Sequence, residues 1–494
     1  MHSPHLDSIL SLLIEQYSCA VTNDKQAMAF PDLLTVVEQC LMFCRKLGLR
    51  MLETFVNVRL AQVKADKPSC PDCGEPMELL ANSHWKHGTP WGLVDVPDVY
   101  AYCRPCNRSC RPLHAMLGTD REPWSLAVEK DAVDLCSDES CERASHKLEQ
   151  HHPGVQIGRT SMLRMLHNNG TLARDFVTRK LEHALEQAAE EGNDSSQGHA
   201  LLELEVEHDG GMIPVALLEP LPSAPDAEPE RTPVRGLRKR RKNMFWQEVK
   251  VGLVQVPGEV QGRLYSVRPS GELDEAFDDL FALARIKGCT DSTQVRGLSD
   301  GALHIRTRMQ ETFHSCDFLF ILDRPHAREH LTEAGEALAA QGGLGAQPWA
   351  DAAMDKLESG NVLSVVFELR KAYEATGAEP LRLNANYFER NQDAVAYAEY
   401  RAKGWSTASS EVESAHRHIV QVRIKIPGAW WHPDNVPGVL ALRMLKANGW
   451  WEAQAAVLRK QATSPGSNPI HPVDARVSRW PVRVRCTRPK HPLA

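Results

Sequence analysis

The chain has 494 residues, is 42% hydrophobic and 24% charged, and carries a formal net charge of −7. That composition places it with soluble globular proteins and leaves room for two to four domains at roughly 100–200 residues each. No apolar run approaches the roughly 20 residues of a membrane span. The start, Met1-His-Ser-Pro-His-Leu-Asp7, lacks a basic region followed by an apolar stretch, so no secretory signal is read and a cytoplasmic location is expected. Thirteen cysteines, an odd and mostly scattered set, fit a reducing compartment with some thiols on a metal better than a disulfide framework.

Residues 1–65 read as helical. Leu10, Leu13 and Ile14, then Leu33, Val36, Val37, Cys40, Leu41 and Cys44, recur at three and four. Residues 66–118 change character. Cys70-Pro-Asp-Cys73 and Cys103-Arg-Pro-Cys106 are two C-x-x-C turns about thirty residues apart, separated by a β-prone segment that includes Val94–Tyr102. Two such turns supply four thiolates, which complete a closed tetrahedral zinc site of the structural kind. A zinc ribbon over 66–118 is therefore expected, with His84, His87, Cys110 and His114 nearby as substitute ligands.

Residues 119–175 read as three helices, Trp124–Cys136, Cys141–His151 and Ile157–Asn168, the layout of a helix-turn-helix whose last helix enters the major groove. Its candidate DNA contacts are Arg159, Thr160, Ser161 and Arg164; an ordinary helical bundle is the alternative. A linking helix over 176–191 and a loop over 191–198 follow.

The core is expected over 199–330. Leu201–His208 alternates as a strand and ends at Asp209-Gly210; Met212–Leu218, Glu248–Val256, Arg263–Val267, Val295–Leu298 and Phe318–Leu322 are further strands, with a helix over Leu273–Lys287. That order suits a mixed α/β sheet. Residues 331–408 read as a helical insertion, 409–460 as a further helix closing the core, and 461–494 as a basic tail. Two basic stretches offer phosphate contacts despite the negative total: the run containing Arg238, Lys239, Arg240, Arg241 and Lys242, and the tail.

Asp209 and Asp300 each precede a glycine at a strand end, and Glu413 sits on the later helix ahead of His416 and Arg417. Carboxylates brought together from two strands and a helix can hold divalent metal ions for phosphodiester chemistry. Taken singly, each Asp-Gly pair also reads as a turn. A further cluster, Asp323-Arg-Pro-His326, follows an apolar strand. Asp323 either replaces Asp300 as a ligand, orients His326, or caps a helix.

Asp209-Gly210, Ser299-Asp-Gly-Ala302, Ile321-Leu-Asp-Arg-Pro-His-Ala-Arg-Glu-His-Leu331 and Val412-Glu-Ser-Ala-His-Arg417 together resemble the ISKra-type bacterial insertion-sequence transposases. Gln421-Val-Arg-Ile-Lys425, Gly428-Ala-Trp430, Ala441-Leu-Arg443 and the spacing of Tyr387, Asn391, Tyr397 and Gly404 continue the match over roughly residues 65 to 460. The resemblance implies a ribonuclease-H-like catalytic core with a helical insertion, preceded by the zinc ribbon and helix-turn-helix. It also implies Asp209, Asp300 and Glu413 as an Asp-Asp-Glu triad with magnesium or manganese. Asp323 and His326 would then support the site or the DNA, as in Mutator-related transposases. Two departures stand out: Ser406-Thr-Ala-Ser-Ser410 replaces an Ile-Gly-Ser-Gly type turn, and Ala302-Leu-His-Ile305 lacks the tryptophan often found there. The implied activity is cleavage and strand transfer at the ends of an insertion sequence in double-stranded DNA, in a bacterial, nucleoid-associated setting and by a homo-oligomer. A DNA-binding regulator derived from a transposase and a metal-dependent nuclease are the rival readings.

Overall fold

A computed structural model describes residue 11 and residues 33–119, 123–191, 201–220, 240–259, 261–269, 273–340, 342 and 345–455. The periodic Leu10, Leu13 and Ile14, the loop over 192–198, Arg238, Lys239 and the basic tail lie outside these residues. No helix among the described residues is long and apolar enough to cross a membrane.

Helix α1 (Leu33–Ala65) leads into a three-stranded antiparallel sheet, β1 (Glu78–Thr89), β2 (Gly92–Cys103) and β3 (Arg108–Cys110), closed by the short α2 (Pro112–Leu117). Val94 and Val96 alternate toward one side of β2, the burial phase shifts at Asp98–Val99, and all three valines meet Val56 and Val63 of α1 and Leu113 of α2 in a small core of their own.

Helices α3 (Leu126–Asp138), α4 (Cys141–His151) and α5 (Arg159–Glu191) follow. Ser125 and Ser140 cap the first two, each accepting the N–H of the third residue onward. The expected break between a short third helix and a linking helix is absent: α5 runs for 33 residues without interruption. Gly170, in mid-helix, serves a crossing. A Cβ there would lie 2.9 Å from the Gly438 carbonyl carbon and 3.0 Å from its Cα, so two glycines let α5 and α15 (Val436–Ala447) meet backbone to backbone. That packing repays the low helix propensity of glycine.

The large sheet has the order β6-β5-β4-β7-β8. Strands β4 (Glu203–Pro220), β5 (Arg240–Gln255) and β6 (Leu264–Pro269) form an antiparallel meander, and β7 (Gln294–Ser299) and β8 (Asp317–Leu322) run parallel to β4. Crossover helices α6 (Leu273–Ile286) and α7 (Leu303–Thr312) make the parallel connections. The sequence had suggested two strands separated at Asp209-Gly210. They are one 18-residue strand, because β5 continues the ladder across the glycines: Asp209 faces Val251, Gly210 faces Lys250 and Gly211 faces Val249. Beyond β8 come α8 (Arg324–Ala339), α9 (Ala346–Glu358), α10 (Val362–Thr376), α11 (Glu379–Arg390) and α12 (Tyr397–Ala402), in the stretch expected to be helical. The chain then returns as α13 (Ser410–Ala415), a π-helical turn (His416–Gln421) and α14 (Val422–Ile424), before α15. Residues from α3 through α15, the sheet included, share one continuous apolar core.

Candidate functional site

The four cysteines are built by two matching turns. In the first, Gly74 N–H donates to Cys70 O at 2.9 Å with φ of 76°; in the second, Asn107 takes the same left-handed backbone at φ 51°. The four Sγ atoms all lie within 4.8 Å of one another, and Cys73 and Cys103 Sγ stand 3.6 Å apart. Thiolates on a tetrahedral zinc ion, with Zn–S of about 2.3 Å, sit about 3.8 Å apart. The donor set therefore fits zinc, and this cluster could bind it. The candidate substitutes lie outside the cluster. His114, for one, is buried with Nδ1 2.9 Å from Thr119 Oγ1.

A second site forms where β4 meets α13. Asp209 and Glu413 line one open cleft of about 200 Å³ together with Gly210, His416, Arg417 and Lys425. Asp209 Oδ1 accepts the N–H of Gly210 at 2.8 Å, and its Oδ2 stands 3.3 Å from His416 Nε2. Gly211 makes room for that imidazole: a Cβ there would fall 2.7 Å from His416 Cε1. Burial pushes the Asp209 carboxyl up and the His416 imidazole down, and their mutual attraction offsets part of each shift. The π-helical turn begins at His416, a distortion that recurs at functional sites.

Asp300 sits one residue beyond β7, adjacent to β4 in the sheet. Its Oδ1 accepts the N–H of Ala302 at 3.0 Å, and Gly301 turns the chain at φ 76°. Helix α11 clamps this turn. Tyr387 donates its hydroxyl to Asp300 O at 2.7 Å, and Asn391 Nδ2 donates to Gly301 O at 3.3 Å. Arg306 in turn holds Asn391 Oδ1 at 3.0 Å. Asp300 is near enough to Asp209 for its negative charge to raise the Asp209 carboxyl further. Among the described residues, the cysteines are the one group of three or more such donor atoms all within 4.8 Å of each other, so Asp209, Asp300 and Glu413 are spread more widely.

Asp323 ends β8 and is fully buried. One oxygen accepts the N–H of Ser409 at 2.6 Å, and the other accepts His326 N–H at 2.9 Å and faces His326 Nδ1 at 2.6 Å. Burial alone would raise its pKa; the bonds from His326 and Ser409 together hold it below the ordinary carboxylate value. The same contact pushes His326 up to about 9. Asp323 thus fastens the segment entering α13 to the sheet.

Glu207 escaped the sequence reading. It lies two residues before Asp209, is fully buried, and accepts the N–H of Val412 at 2.8 Å through Oε2. Burial, only partly offset by that bond, pushes its carboxyl up to about 8. The alternation Leu204-Glu-Val-Glu207 reads as a solvent-facing acidic stripe, whereas α13 covers that side of β4. The expected DNA contacts are dispersed. Arg159, Thr160 and Arg164 are exposed on the first turns of α5, and Ser161 is half-buried. Arg241 and Lys242 are exposed near the far end of the β4–β5 ribbon, with Lys242 Nζ 4.7 Å from the Trp430 ring centre. Arg417 is exposed in the cleft. Of Arg240 only the backbone, in β5, is described.

No protein-family model matches the chain, and no curated protein matches it. Among solved structures it is similar to the Drosophila P element transposase strand transfer complex, at 11% identity and a TM-score of 0.24, over 70% of this chain and 83% of that one. A superposition that loose carries no weight for fold or activity.

Proposed function

We propose that this chain is a metal-dependent polynucleotidyl transferase: a transposase of the Asp-Asp-Glu type, akin to the ISKra-type elements, on a ribonuclease-H-like core with a helical insertion. One observation carries the reading. Asp209 on the central strand and Glu413 on a late helix line a single cleft, and Asp300 stands at the end of the neighbouring parallel strand. The strand order, three antiparallel strands followed by two parallel ones, supports the core assignment.

The donors are hard carboxylate oxygens at an open cleft, which suits magnesium or manganese. Asp209, Asp300 and Glu413 are the residues that would hold such ions. Bound ions of this kind would activate the attacking oxygen and stabilise the leaving one. The rest is the work of the chain itself. His416 braces Asp209 from the helix side, while Tyr387 and Asn391 hold the Asp300 turn in its left-handed shape. Asp323, through Ser409, sets where α13 begins, four residues ahead of Glu413. Arg417 and Lys425 bring positive charge to the cleft, where a phosphate would lie.

DNA recognition falls to the four-cysteine ribbon, to Arg159 and Arg164 on α5, and to Arg241 and Lys242 on the ribbon of β4 and β5. Phosphate contacts of this type lose affinity as salt rises. The test uses purified protein, magnesium, labelled element ends and a target plasmid. Cleaved and joined products are expected from the native protein, and none from Glu413→Gln, which should still bind the ends. Cleavage without joining would reject transposition in favour of a nuclease. Equal loss of binding and cleavage in Glu413→Gln would make Glu413 structural.

A further inference from the structure

Helix α1 carries an apolar stripe that the described residues leave open. Its inner side, Leu49, Leu52, Val56, Leu60 and Val63, packs on β2 and α2. A different set, Leu34, Val37, Leu41, Met51, Phe55 and Val58, faces solvent, with Leu34 77%, Leu41 55%, Phe55 48% and Val58 51% exposed. Together with exposed Cys44, these positions step by three and four in strict alternation, the seven-residue repeat of a helix that pairs with another helix. The repeat lacks a side chain only at Gly48. There the ring of Trp91, from the turn between β1 and β2, fills the gap: a Cβ on Gly48 would lie 2.6 Å from Trp91 Cδ2. Trp91 is itself 43% exposed, so the stripe stays apolar throughout. Among the described residues of α1, none before Leu49 belongs to either of these apolar cores. An isolated helical half of that length gains too little from its own backbone to persist in water.

We infer that α1 pairs with α1 of a second copy of this chain, antiparallel, about a centre near Leu49 and Arg50. The side chains favour that partner and that direction. In this register Cys44 opposes the partner's Phe55, and at Gly48 the ring of Trp91, which covers the glycine, meets the partner's Met51. Leu41 opposes the partner's Val58. Beside the seam, Glu38 comes opposite the partner's Arg59, an attraction that occurs twice by symmetry. A parallel pairing would instead stack like residues and leave Glu38 without that cation. Six seam side chains on each of two helices remove on the order of 1,000 Å² from water, close to the lower edge of specific interfaces. Such pairing puts two catalytic clefts in one particle, but it stands apart from the transposase reading because mass, not activity, tests it.

The test is light scattering on the full chain across a concentration series. A dimer is expected, and Leu41→Glu with Phe55→Glu should halve the mass with zinc content unchanged and helicity lowered by no more than the unpaired half of α1. Glu38→Arg or Arg59→Glu alone should weaken the dimer at least tenfold, and the two combined should restore it. A native monomer would overturn the inference, as would a dimer that survives the double glutamate substitution. A native monomer that dimerises only after removal of residues 1–31 would assign the stripe to that segment of the same chain and overturn it equally. Failure of the charge swap, with the glutamate variant monomeric, would overturn the antiparallel direction.

Discussion

Substituting Asp323→Asn tests how the sheet holds the helix of Glu413. The native carboxylate is fully buried and receives three hydrogen bonds, from Ser409 N–H, His326 N–H and the His326 ring. Asparagine keeps the shape but replaces one acceptor oxygen with an NH2 group. If its oxygen stays on His326, the new donor faces the Ser409 N–H, and a buried donor is orphaned at about 1–3 kcal/mol. The histidine also loses its anion, and a charge-assisted bond is worth about 1.5–3 kcal/mol. The Asp323 side chain is 1% exposed, so water screens little of this. A total near 3 kcal/mol corresponds to roughly a hundredfold loss of protection at the Ser409 amide. Hydrogen exchange on the purified variant reads that amide directly. Native-like protection at Ser409 in Asp323→Asn would refute the tether, whatever happened to activity.

The same pair sets a pH dependence. His326 is raised to about 9 in the fold, so its protonated form is the one stabilised. Its contribution is fully present below its unfolded value of about 6.5 and fades as pH climbs through about 9. Imidazole titration by NMR should show His326 charged at pH 8 in the native protein and neutral there in Asp323→Asn. Cys103→Ser should release zinc and weaken DNA binding; undiminished metal content by elemental analysis would refute the four-thiol site. Gly438→Val adds a branched side chain where even a Cβ would lie 3.0 Å from the Gly170 carbonyl carbon. It should force α5 and α15 apart and destabilise the core by about 1–3 kcal/mol, read as an earlier urea midpoint. An unchanged midpoint would show that the crossing tolerates separation.

Local chemistry was legible in the chain itself. The paired C-x-x-C turns and the apolar runs of β7 and β8 each depend on neighbours a few residues away, so spacing alone reports them. Tertiary packing decided the rest. Asp209-Gly210-Gly211 reads as a turn by composition, but β5 extends the ladder through it and the imidazole of His416 takes the space over Gly211. Gly170 reads as a weak point in a helix, and only its meeting with Gly438 makes it a contact. Glu207 reads as a surface acid until α13 covers it. Asp323 could be read as a ligand, an orienting group or a cap, because a carboxylate suits all three; its bonds to His326 are local and cap a helix, and only folding brings Ser409, more than eighty residues away, to its other oxygen. Spacing along a chain specifies which atoms can meet within a turn or a helix. Which distant side chains share a cleft depends on strand order and helix crossing, and those follow from the packing of the whole core.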